Sequence, residues 1–145
     1  MEALAAKSAM RRAPDRRPRI LVVDDLGYAR AALAELLRTA GYDVAAVGSG
    51  AEALEELEKH GADLLLSDIY MPRMTGWELA LAVRQRALTN SLGLPICIGL
   101  YSALLSGFSR DQLTRAQVDF AVTKLTDPDA ILEAVERALA WSEVS

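Results

Sequence analysis

Cysteine and histidine are nearly missing from this chain: Cys97 and His60 are the only examples in 145 residues. A lone cysteine excludes an intramolecular disulfide and suits a reducing compartment. Cys97 falls in an apolar run, where it reads as a small packing hydrophobe. His60 lies near the end of a helical pattern, where a cation complements the helix dipole. No apolar stretch approaches the ~18 residues needed to cross a bilayer. A secretory signal is missing too, because the basic residues at the start are not followed by an apolar core before Ile20. There are no internal repeats and no low-complexity core. These absences leave a cytoplasmic single domain, long enough to bury one substantial core.

The formal charge of −4 is unevenly spread. Residues 1–19 carry Lys7, Arg11, Arg12, Arg16, Arg17 and Arg19 against Glu2 and Asp15, a surplus of +4 that leaves −8 on the remainder. A body so acidic argues against nucleic-acid binding. Residues 1–18 read as a flexible basic leader, and 19–142 as the folded domain.

From Ile20 onward, short apolar runs alternate with helical patterns. The first strand is Ile20–Val23, followed by a helix with Ala32, Leu33, Leu36, Leu37 and Ala40 at helical spacing and Gly41 to end it. A second strand at Asp43–Val47 leads to a helix opened by the capping pair Ser49 and Glu52 and closed by Gly61. Asp63 opens the third strand, Trp77, Leu79, Ala80 and Val83 mark the third helix, and the fourth strand runs from Pro95 towards Ser102. A fourth helix over Ser109–Gln117, a fifth strand over Phe120–Thr123 and a last helix opened by Asp127 and Pro128 complete the pattern. Ile131, Leu132, Val135 and Leu139 give that last helix a buried stripe. Five β-α units in sequence demand a parallel sheet covered by helices on both faces. Right-handed crossovers then favour a doubly wound, flavodoxin-like α/β fold with strand order 2-1-3-4-5.

Parallel strands put their carboxyl ends on one edge, the ligand-binding edge of open α/β folds. To that edge the first strand brings Asp24 and Asp25, the third Asp68, the fourth Ser102 and the fifth Lys124. Three acids in one place repel each other, and a divalent cation is the usual relief. Mg²⁺ prefers carboxylate oxygens together with waters and a phosphate. A carboxylate can serve as nucleophile to form an acyl phosphate, while a hydroxyl and a lysine bind phosphoryl oxygens.

At these residues the chain resembles the receiver domain of two-component response regulators, from Arg19 to about Trp141. The resemblance is carried by Val22-Val23-Asp24-Asp25, by Asp68 with Met71, Pro72, Met74 and Gly76, by Ser102-Ala103, and by Lys124, 22 residues after Ser102. It implies that Asp68 is the phosphoacceptor, charged by a histidine kinase or histidine phosphotransfer protein. It further implies Mg²⁺, or Mn²⁺ in its place, held by Asp25 and Asp68 directly, by Asp24 through water and by the Tyr70 carbonyl. Ser102 and Lys124 would bind the phosphoryl group. Output would be contact with a downstream protein through the face of helix four, strand five and helix five, with no direct role for nucleic acid or membrane and with homodimerisation left open. His60 gives the chain no phosphohistidine donor of its own.

The chain departs from the family pattern in several places. Leu125 follows the lysine where proline is usual, and a cis bond before a non-proline residue costs ~2.5–4 kcal/mol. The usual switch aromatic would fall at Ala121; Phe120 lies one residue earlier and should point to the other face, leaving Tyr101 as an alternative. The stretch Gln85–Leu94 is longer than usual. Tyr70 and Leu104 occupy the positions flanking the acyl phosphate, and neither can position a water as a carboxamide or carboxylate would, so slow hydrolysis is expected. A stand-alone signalling receiver, not an enzyme, is the leading expectation, and a receiver from a larger hybrid kinase or multidomain regulator is the alternative. An aspartate-nucleophile phosphatase of the haloacid dehalogenase type needs an acid where Tyr70 stands. A nucleotide-binding domain needs a glycine-rich loop where the chain reads Asp24-Asp25-Leu26-Gly27.

Overall fold

The computed structural model describes residues 16–103, 109–123 and 127–144, with side chains up to residue 140. Five parallel strands form one sheet in the order β2-β1-β3-β4-β5. They are β1 (Arg19–Val23), β2 (Asp43–Val47), β3 (Leu64–Asp68), β4 (Cys97–Ser102) and β5 (Phe120–Thr123). Between and after them run α1 (Gly27–Thr39), α2 (Gly50–His60), α3 (Gly76–Gln85), α4 (Arg110–Ala116) and α5 (Pro128–Val144). Residues 1–15 of the expected leader lie outside the described residues, as do Leu104, Lys124 and Leu125. Among the described residues no helix is long and apolar enough to cross a membrane.

The strands alternate their side chains between two apolar layers, as the pleat requires. Leu21, Val23, Leu65, Ile98 and Leu100 face α2, α3 and α4, meeting Ala53, Leu54, Leu57, Leu79, Ala80, Val83 and Ala116. Ile20, Val22, Leu64, Leu66, Cys97 and Tyr101 face α1 and α5, meeting Ala34, Leu37, Val135 and Leu139. Cys97 is thus a core residue. Of the stripe expected on α5, Val135 and Leu139 are buried, while Ile131 and Leu132 are half-buried.

Helix boundaries follow local chemistry. The Ser49 hydroxyl accepts from the Glu52 N–H, and Glu52 returns to the N–H of Gly48, one residue outside the usual capping box. Thr75 with Glu78 and Ser109 with Gln112 form reciprocal boxes at α3 and α4. Gly61 ends α2 at φ 64°, and a Cβ there would stand 2.6 Å from the Thr89 carbonyl oxygen, so glycine is required twice over. The long stretch before β4 is loop, since α3 stops at Gln85. Asn90 closes that loop on itself: its Oδ1 accepts from the N–H groups of Leu92 and Leu94, and its own N–H donates to the Leu94 carbonyl.

At the amino-terminal edge of the sheet the buried Asp63 carboxylate ties three segments together. It accepts from the Arg19 N–H at 2.7 Å, from Asn90 Nδ2 at 2.9 Å and from the Arg16 guanidinium at 3.0 Å. Removing one member of a buried, charge-assisted set leaves the others unsatisfied. Asp63→Ala is therefore expected to lower the unfolding free energy by roughly 2–4 kcal/mol, read as a lower urea midpoint at unchanged m-value.

Candidate functional site

Strand register decides which residues share the carboxyl edge. Val23 pairs with Ser67 and Asp68 with Tyr101, so the residues just beyond Val23 lie beside Asp68. Asp24, Asp25 and Asp68 each offer a carboxylate oxygen, and these oxygens lie within 4.8 Å of one another. Asp24 and Asp68 are buried while Asp25 is exposed, so the cluster opens to solvent on one side. Oxygen donors of this kind suit a hard divalent cation such as Mg²⁺, which also retains waters.

Asp24 is held on several sides. Its Oδ1 accepts from the Leu26 N–H at 3.0 Å, its Oδ2 from the Tyr101 hydroxyl at 2.7 Å, and its main-chain carbonyl from the Arg30 guanidinium at 2.7 Å. Burial, then the hydrogen bond to Asp24 and the charges of Asp24, Asp68 and Asp25, push the Tyr101 phenol far above its ordinary range. The phenol therefore stays protonated and donates to Asp24.

Asp68 ends β3, and the loop after it folds back tightly. The Ser67 hydroxyl donates to the Asp68 carbonyl at 2.9 Å, the Ile69 N–H donates to the Tyr101 carbonyl, and the Gly76 N–H returns to the Ile69 carbonyl at 2.8 Å. Gly76 opens α3 so close to this turn that a Cβ would stand 2.5 Å from the Asp68 carbonyl oxygen. Met71 is buried beneath, whereas the Tyr70 ring stands 64% exposed. Ser102 is buried at the end of β4, paired in register with Thr123 of β5. The structure thus brings Asp24, Asp25 and Asp68 together. It puts Ser102 on the same edge; Lys124 follows Thr123 outside the described residues.

The sequence matches the response regulator receiver domain over residues 20–136. The chain belongs to the response regulator receiver family. This receiver is 30% identical over 122 residues to the chemotaxis protein CheY of Bacillus subtilis, covering 83% of this chain and 97% of that one. It is 33% identical over 116 residues to the sensor histidine kinase RcsC of Salmonella typhi, covering 80% of this chain but only 12% of the kinase. The transcriptional regulatory protein PdtaR of Mycobacterium tuberculosis is 33% identical over 127 residues, covering 84% of this chain and 57% of PdtaR. Among solved structures, Vibrio cholerae CheY4 superposes with a TM-score of 0.76 at 27% identity, covering 84% of this chain and 98% of that one. The fold expected from the β-α pattern is the one observed.

Two contacts at the site escape a motif-based reading. The reach of Tyr101 to Asp24 had a signal in the two-residue period, because Cys97, Gly99 and Tyr101 share a face, as do Leu64, Leu66 and Asp68. The Arg30 contact to the Asp24 carbonyl had none, since it depends on how α1 leaves the turn. Phe120 does pack in the layer facing α1 and α5, as its one-residue offset predicts, and its ring occupies the space a side chain on Gly99 would fill.

The tight approach at Gly76 yields a direct test. Gly76→Ala must displace the backbone at Asp68 and Ile69, so it is expected to destabilise the fold by roughly 1–3 kcal/mol, measured by urea unfolding.

Proposed function

We propose that this receiver accepts a phosphoryl group on Asp68 from a phosphohistidine donor and signals by phosphorylation-dependent protein contact. The observation that carries this reading is the convergence of the Asp24, Asp25 and Asp68 carboxylate oxygens within 4.8 Å at the carboxyl edge of the sheet. An Asp68 oxygen attacks phosphorus, an O–P bond forms, and the P–N bond to the donor imidazole breaks. The leaving nitrogen keeps the electron pair and takes a proton from solvent. The product is an acyl phosphate.

Asp25 and Asp68 would hold Mg²⁺ directly, with Asp24 through water and the Tyr70 carbonyl as a further ligand. The cation would supply neutralisation of charge on the transferring oxygens. Ser102 and Lys124 would bind the phosphoryl group, Lys124 pairing with Asp68 beforehand. The kinase or phosphotransfer partner and the downstream target are inferred on the same footing. For the target, the face of α4, β5 and α5 is supported by an edge strand whose four residues are all half-buried, bordered by a groove of about 1170 Å³. Edge strands left open in this way are suited to partner contact.

A second reading, a receiver within a larger hybrid kinase or multidomain regulator, is favoured by the match to RcsC, of which the chain spans 12%. The PdtaR match, over 57% of that protein, supports it too. Under either reading the chemistry at Asp68 is the same.

Incubation with acetyl phosphate and Mg²⁺ tests the assignment. The wild type is expected to gain the mass of one phosphoryl group and Asp68→Asn none; equal gain in both, or gain in neither, refutes it. The exposed Tyr70 ring offers no carboxamide or carboxylate to orient an attacking water, so the phosphoryl group is expected to persist for minutes or longer. A half-life of seconds in the absence of any phosphatase would contradict that.

A further inference from the structure

Tyr101 pairs with Asp68 in the strand register and shares the face of the sheet that meets α1 and α5. Its ring belongs to the buried apolar layer that includes Val22 and Leu66, and across the intervening strand β3 its hydroxyl reaches Asp24 Oδ2 at 2.7 Å. A longer approach, 3.4 Å, brings the same hydroxyl near the Val23 carbonyl. Both partners are enclosed, Asp24 at 0% and Tyr101 at 5% exposure. Phenylalanine would fill nearly the same volume without burying a polar group, and a buried hydroxyl is costly unless bonded. With Leu26 N–H on Oδ1 and Tyr101 on Oδ2, each oxygen of Asp24 has its own donor. The carboxylate is therefore fixed in orientation before any cation arrives.

We propose that Tyr101 is a positioning residue for the divalent-cation site, acting through Asp24: its hydroxyl aims the carboxylate and holds it in one orientation. The proposal rests on the reading of the acid cluster as a Mg²⁺ site and extends it to a side chain that supplies no ligand atom. Partners that orient a metal-binding group are typically worth 10–100-fold in metal affinity.

The test is calorimetric titration of the metal-free full chain with Mg²⁺ alone, for wild type, Tyr101→Phe, Asp24→Asn and the double variant. Tyr101→Phe is expected to bind Mg²⁺ roughly tenfold more weakly. On the Asp24→Asn background the same substitution should change nothing further, because non-additivity reports an interaction between the two residues. Binding by Tyr101→Phe as tight as wild type, or equal weakening on both backgrounds, overturns the proposal while leaving the Mg²⁺ site standing. A wild type that binds no Mg²⁺ overturns the site itself. A second readout needs no change at Tyr101. With isotope-labelled tyrosine, the ring-carbon resonance of Tyr101 should move on Mg²⁺ addition in wild type and stay in place in Asp24→Asn; no movement in wild type also overturns the proposal.

Discussion

Mutual repulsion among three carboxylates is the constraint to which the carboxyl edge of this molecule is built. With oxygens within 4.8 Å of one another, each ionised pair costs on the order of 3 kcal/mol at an effective dielectric near 20. Such a cluster persists only where packing elsewhere holds the backbone in place. Here two apolar layers clamp the central strands, and every residue of β3 is buried. Donors arranged around Asp24 offset part of the repulsion. An added divalent cation would remove much of the remainder, which makes the cluster a poised arrangement.

Much of this was legible in the sequence. Alternation of apolar runs with helical stripes fixed the element order, and Asp43–Val47 and Phe120–Thr123 have the bounds their residues suggested. The capping residue Ser49 and the terminator Gly61 marked helix ends, because their chemistry is local. The acid cluster was legible for a different reason: a parallel sheet carries strand ends to one edge whatever the loops do. Contacts that depend on side-chain reach were not legible. The hold of Arg16 and Asn90 on Asp63 joins residues 47 and 27 positions apart, and no periodicity announces it.

The end of β4 faces two ways. Tyr101 belongs to the layer of α1 and α5, whereas alternation gives Ser102 to the side of Ile98 and Leu100, which meets α2, α3 and α4. Two consecutive residues of one strand thus connect the acid edge to both layers of helices. Gly99 contributes by omission, because its missing side chain admits the Phe120 ring into the same layer as Tyr101. Phe120 of β5 and the ring that touches Asp24 therefore lie on the same side of the sheet.

The Asp63 knot bears on where the domain begins. Arg16 lies ahead of β1, yet its guanidinium reaches a carboxylate only 4% exposed. A fragment cut at Ile20, where the family match starts, would discard both the Arg16 charge and the Arg19 amide on which Asp63 depends. Cutting there would strip a carboxylate that is almost wholly shielded from water of two of its donors, leaving it the one from Asn90.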